Sequence, residues 1–206
     1  MQYFFGILCG YCVGSLPTAY LLVKLTSGVD VRASGSGNVG GFNAFRVTES
    51  KRIGIAVGVI DGVKGMLAAG LARWIIPEQP LMQGAVAMGA ILGHNYPVWL
   101  RFKGGRGLAT AAGISFVTGL AYAIVWCLTW FVGYRFTKDI VRSNLVAILL
   151  TVPILVVAPA AFTERTMVRQ AITMNEYILS VSVLSVLLLI SHHDVVRDIL
   201  KRRSNE

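Results

Sequence analysis

Residues 35–46 read Gly-Ser-Gly-Asn-Val-Gly-Gly-Phe-Asn-Ala-Phe-Arg, the longest polar, glycine-dense run in an otherwise apolar sequence. Gly35, Gly37, Gly40 and Gly41 let the backbone turn tightly and approach a ligand closely. Successive N–H groups in such a run can converge on one concavity that holds an anion. Ser36, Asn38 and Asn43 add neutral donors. Arg46 adds a permanently charged planar fork suited to phosphate or carboxylate. A second run of this character occupies residues 101–107, Arg-Phe-Lys-Gly-Gly-Arg-Gly. There Lys103 and Arg106 flank Gly104 and Gly105, and Gly107 opens an apolar segment. That is the layout of a phosphate cradle at a helix N-terminus.

Ionisable residues also interrupt the apolar segments. Asp61 and Lys64, in Asp61-Gly62-Val63-Lys64-Gly65, share one face of a helix at i and i+3. Charges within a membrane span are expensive and are usually functional or paired. The two are a self-compensating ion pair or part of a substrate site, and the adjacent glycines favour a site. His94, in Gly93-His94-Asn95-Tyr96-Pro97, leads directly into the second basic run. His192-His193-Asp194 follow the last apolar segment without metal-ligand spacing. Cys9 and Cys12 form a CxxC with no partner pair, and with Cys127 they are expected to fill the core. No phosphate-binding Walker pattern or dinucleotide fingerprint is present. No metal and no cofactor is expected. The constellation suits a phosphorylated substrate met at a membrane face, with an apolar co-substrate in the bilayer.

The elements that must position these residues follow from composition. The chain has 206 residues, 55% of them hydrophobic and 14% charged, against about 25% charged in soluble domains. The net charge of +9 lies in short connections between apolar runs, which reads as membrane topology and not as nucleic-acid binding. Spans are expected at 3–25, kinked at Pro17, and at 53–75, 81–100, 145–160 and 177–190. Residues 108–133 are expected to form two helices broken near Thr118-Gly119. The first run lacks a basic leader and is expected to be a retained span. With seven helices and the N-terminus outside, fifteen basic residues fall on the cytoplasmic side and three (Arg73, Arg165, Arg169) on the other. The expectation is therefore one all-α, polytopic domain over residues 1–206, with a cytoplasmic C-terminus and both glycine loops in the cytoplasm.

These blocks resemble a known family. Gly14-Ser15-Leu16-Pro17-Thr18-Ala19-Tyr20, Gly35 to Gly40 with Asn43 and Arg46, Asp61-x-x-Lys64-Gly65, Gly93-His94 with Pro97, and Phe102 to Gly107 with Ala109-Thr110 occur in the order of the bacterial acyl-phosphate:glycerol-3-phosphate acyltransferases (PlsY). The resemblance implies acyl transfer from acyl phosphate to the 1-hydroxyl of glycerol 3-phosphate, giving lysophosphatidic acid and phosphate. It implies Ser36, Arg46, Lys103, Arg106 and His192 as catalytic residues. Gly35, Gly37, Asn38, Gly40, Asn43, Asp61, Lys64, His94, Gly104, Gly105 and Gly107 would line the substrates. It also implies a monomer in the bacterial cytoplasmic membrane, with its site facing the cytoplasm.

Some positions depart from the family pattern. Arg106 stands for a lysine, Phe42 for a threonine, and Asn144 and Ala147 for two serines. Val195 stands for an asparagine three residues after His192. A non-catalytic or altered-substrate relative that binds lipid or a phosphorylated ligand is the alternative these departures leave open. A small anion transporter would instead spread polar residues along several helices.

Overall fold

The structure is a computed structural model that describes residues 1–167 and 173–203, without the side chains of residues 202 and 203. Arg169, counted in the charge argument, lies outside the described residues. Every regular element described is helical. The chain packs as two compact units, Met1–Val117 and Thr118–Glu206.

The first unit contains α1 (Gln2–Gly14), α2 (Thr18–Ser27), α3 (Gly41–Thr48), α4 (Lys51–Ile75), α5 (Pro80–Asn95) and α6 (Leu108–Thr118). Pro17 does more than kink the first apolar run. Its missing N–H and its restraint on Leu16 split the run into α1 and α2. The third apolar run was expected to stay helical to Leu100, but α5 stops at Asn95. Pro97 forces extended backbone there, and Val98–Leu100 form a short 3-10 turn instead. The second unit contains α7 (Ala121–Thr137), α8 (Ile140–Val157), α9 (Ala160–Thr166), α10 (Met174–Ser191) and α11 (His193–Arg203). The break at Gly119 falls where the sequence placed it. Gly119 adopts φ 158°, and α6 and α7 are separate helices.

Among the described residues four segments are long and apolar enough to cross a membrane: Gln2–Ser27, α4, α8 and α10. The packing inverts that of a soluble protein. On α4, Val57, Gly65, Ala68, Ala69 and Ala72 are buried, while Ile55, Val59, Leu67 and Leu71 face outward. Small residues bring helix backbones together where lipid leaves no hydrophobic drive for association. The clearest case is α1 against α5. A Cβ on Gly10 or Gly14 would strike the carbonyl of Val86 or Ala90, and one on Gly89 or Gly93 would strike that of Ile7 or Tyr11. The same inversion corrects the cysteines. Cys9, Cys12 and Cys127 are exposed and do not fill the core. An apolar run bordered by lipid does not reveal which face turns inward.

Substitution of glycines should therefore have opposite signs at different sites. Gly10→Ala should destabilise by about 1–3 kcal/mol through overpacking. Gly70→Ala has open space beside it and should be neutral or stabilising by up to about 1 kcal/mol. Thermal unfolding of the two variants in one detergent checks the pair.

Candidate active site

The first glycine loop is held from both ends. At its entry Arg32 Nη2 pairs with Asp30 Oδ2 at 2.7 Å, and the Arg32 backbone N–H donates to Asp30 Oδ1 at 3.0 Å. The Arg32 guanidinium also lies over the Tyr20 ring, 4.8 Å from its centroid. These bonds to Arg32 hold the Asp30 carboxyl below the usual range, at about 2. Gly35 and Gly37 take φ of 61° and 73°, which β-carbon-bearing residues adopt at a cost. Asn43, from the first turn of α3, closes the loop. Its Oδ1 accepts the Ser36 N–H at 2.9 Å, and its Nδ2 donates to the Val31 and Ser34 carbonyls, each at 3.1 Å. Asn43 is buried and its two donors are spent. The expectation of Asn43 as a substrate ligand is therefore revised: it braces the loop that carries Ser36. Ser36 itself is exposed, and so is Arg46 one turn along α3. The Arg46 guanidinium stands 5.9 Å from the Phe42 ring centroid.

The second loop is a compact excursion from Asn95 to Gly105. Arg101 N–H bonds to Val98 O at 3.0 Å and Phe102 N–H to Pro97 O at 3.0 Å, the pattern that ends helices with a left-handed residue. That residue is usually glycine; here Arg101 and Phe102 both adopt positive φ, 55° and 61°. Gly104 N–H then donates to Asn95 O and Gly105 N–H to His94 O, each at 3.1 Å. Gly105 is required by close approach, because a Cβ there would collide with the His94 ring. Lys103 is exposed and Arg106 half-buried. Gly107, at φ 78°, turns the chain into the N-terminus of α6.

The two loops meet. The Val39 N–H of the first donates to the Gly104 carbonyl of the second at 3.2 Å. Beneath them lie Asp61, Lys64 and His94, each no more than 6% exposed. Lys64 Nζ is 2.9 Å from Asp61 Oδ1 and donates to the Leu16 carbonyl at 3.0 Å. His94 Nδ1 is 3.6 Å from the same Asp61 oxygen, beyond hydrogen-bond reach. A small cavity lined by Pro17, Val39, Asp61, Lys64, His94 and Gly104 sits between the loops and this cluster. The loops thus offer N–H groups at two helix N-termini together with Arg46, Lys103 and Arg106, an arrangement suited to more than one phosphate.

Within the first unit the fold brings Asp61, Lys64, His94 and Gly104 around one cavity and joins the two glycine loops through Val39 and Gly104. His192 belongs to the second unit and is fully buried at the end of α10. Its Nδ1 lies 2.7 Å from the Leu188 carbonyl. A carbonyl only accepts, so Nδ1 carries a proton in this contact. Asn144 accepts the Trp130 indole N–H at 2.8 Å, tying α8 to α7. Among the described residues no group of three or more His, Cys, Asp or Glu could hold a metal. The sequence did not reveal the roles of the Val39 N–H and the Leu16 carbonyl, because backbone groups paired across the fold leave no residue-type signal.

Comparison with known proteins decides the family. A family model described as glycerol-3-phosphate acyltransferase matches residues 4–202. The chain belongs to the glycerol-3-phosphate acyltransferase family. The enzyme of that name from Syntrophotalea carbinolica is 32% identical over 209 residues, covering 99% of this chain and 97% of its own length. The Myxococcus xanthus enzyme is 44% identical over 124 residues, which cover 58% of this chain and 64% of that relative. The crystal structure of PlsY (YgiH), an integral membrane glycerol 3-phosphate acyltransferase in its glycerol 3-phosphate form, matches with a TM-score of 0.78 and 27% identity, covering 98% of this chain and 94% of that one. A second crystal structure of it, the lysophosphatidic acid form, matches with a TM-score of 0.77. The family recognised from the residue blocks is thereby borne out, as is the all-helical fold class.

Two outcomes follow from the brace. Asn43→Ala strands the Ser36 N–H and two carbonyls, so it should cost about 1–3 kcal/mol of stability and depress turnover more than it depresses folded yield; melting and kinetics on one preparation check both. Asp30 has a lowered folded pKa, so its stabilisation is complete above the ordinary value of 3.8 and is lost as pH falls toward about 2. A pH–stability scan should accordingly show Asp30→Asn and the parent diverging above pH 3.8 and converging toward pH 2.

Proposed function

We propose that this protein transfers a fatty acyl group from acyl phosphate to the 1-hydroxyl of glycerol 3-phosphate, releasing lysophosphatidic acid and phosphate. The observation that carries the reading is the hydrogen bond from the Val39 N–H to the Gly104 carbonyl, which joins the two basic, glycine-rich loops. Both substrates carry phosphate, and the two similar crystal structures of PlsY are its glycerol 3-phosphate and lysophosphatidic acid forms.

The mechanism needs little beyond positioning. Acyl phosphate is a mixed anhydride and already activated. The acceptor oxygen attacks the acyl carbonyl carbon, the bond from that carbon to the phosphate oxygen breaks, and phosphate leaves with the electron pair. The hydroxyl proton passes to a substrate phosphate, so the chemistry needs no dedicated base side chain. Backbone N–H groups at the start of α3 and the side chains of Arg46, Lys103 and Arg106 hold the two phosphates and offset their charge. Orientation of the two reactants supplies the rest of the rate.

The location rests on the distribution of basic residues. With Gln2–Ser27 counted as one crossing, and α4, α5, α6, α7, α8 and α10 as one each, seven crossings keep both loops on the basic side. The reading is a monomeric enzyme of the bacterial cytoplasmic membrane, with its site toward the cytoplasm and one domain acting as a whole.

The test is phosphate release from palmitoyl phosphate by purified protein in detergent or lipid mesophase. Release should depend on glycerol 3-phosphate and yield lysophosphatidic acid. Ser36→Ala and Arg46→Ala should each lower kcat/KM by about a hundredfold or more, the loss typical of removing one charge-stabilising donor. Acceptor-independent release, or none from folded protein, would contradict the proposal.

A further inference from the structure

We propose that Asp61, Lys64 and His94 act as a buried positioning strut that fixes the two glycine loops against the break in the first span, without touching either substrate. The inference rests on the acyltransferase reading above and revises the sequence expectation that these three line a substrate.

The contacts form a continuous chain. Lys64 leaves the middle of α4 and donates to the carbonyl of Leu16, the residue at the break between α1 and α2. Thr18 N–H donates to the same carbonyl at 2.9 Å. Asp61, one turn earlier, balances the Lys64 charge at 2.9 Å. The His94 ring lies against the same carboxylate on one side and against Gly105 on the other. The His94 carbonyl takes the Gly105 N–H, and the adjacent Gly104 carbonyl takes the Val39 N–H. A shift of Asp61 or Lys64 is therefore passed through His94 to the second loop and then to the first.

Burial argues against a ligand role. Asp61 is 2% and Lys64 4% exposed, and the Lys64 ammonium already serves Asp61 and Leu16. Breaking one half of a buried ion pair leaves an uncompensated charge, whereas removing both halves does not. That asymmetry separates a strut from a ligand. A ligand lysine is lost equally in the single and the double variant.

The experiment compares Asp61→Asn, Lys64→Gln and the double variant with the parent, as full-length protein in one detergent. Palmitoyl phosphate and glycerol 3-phosphate are titrated well below the melting temperature of each. The strut predicts that each single variant raises KM for both substrates together by about tenfold, and that the double variant recovers most of the loss. Amide hydrogen exchange at Val39 and Gly105 should quicken in both single variants and return toward the parent rate in the double. A KM change confined to one substrate, with no recovery in the double variant, would assign Lys64 to that substrate and overturn the proposal. A fall in melting temperature with KM and exchange unchanged would make the pair a global stabiliser only, and would equally overturn it. If the parent shows no turnover, the acyltransferase reading fails, and the exchange pattern alone then decides the strut.

Discussion

The structure of the proposed site depends on one backbone hydrogen bond, from the Val39 N–H to the Gly104 carbonyl. Either loop alone would be an ordinary basic turn at the end of a helix. Joined, they form one continuous basic, glycine-rich element above the Asp61–Lys64–His94 cluster. The bond is possible only because each loop is shaped independently. Asn43 gathers the first loop from inside, and paired bonds from Gly104 and Gly105 to the end of α5 close the second. Both loops are therefore set by hydrogen bonds to rigid elements before any ligand arrives.

The same residue type serves two physical ends in the first unit. In α1 and α5 glycine permits helix backbones to touch, which is how a bundle holds together in a solvent as apolar as its own side chains. In the loops it permits left-handed turns at Gly35 and Gly37 and contact with the His94 ring at Gly105. Packing and site are linked through α5, whose glycines seat it on α1 and whose last residues, His94 and Asn95, hold the second loop. Two consecutive residues of that loop, Arg101 and Phe102, occupy a conformation more natural to glycine, as Glu49 does at the end of α3.

Much of this was legible in the residues. The two basic glycine runs, the buried Asp61–Lys64 pair and the break near Gly119 follow from types and spacing, because each rests on a local rule. Long-range pairing was not legible. Asn43 looks like a ligand in a glycine loop, and only its contacts with Val31, Ser34 and Ser36 reveal a brace. Lys64 shows its charge partner at i−3 but not its bond to Leu16, 48 residues away. The outward-facing cysteines and the early stop of α5 were misjudged for different reasons. Uniform apolarity hides the direction of a face, and the effect of Pro97 reaches back to the residue before it.

The central claim is that the two loops form one anion-binding surface. Its most direct test is the response of the backbone amides of residues 35–41 and 104–107 to glycerol 3-phosphate, followed by NMR on micelle-embedded protein. Amides in both loops should shift together, along one binding curve with one dissociation constant, and Ser36, Gly37, Val39, Gly104 and Gly105 should move least because their N–H groups are already spent. Shifts confined to one loop, or two unrelated curves, would contradict it.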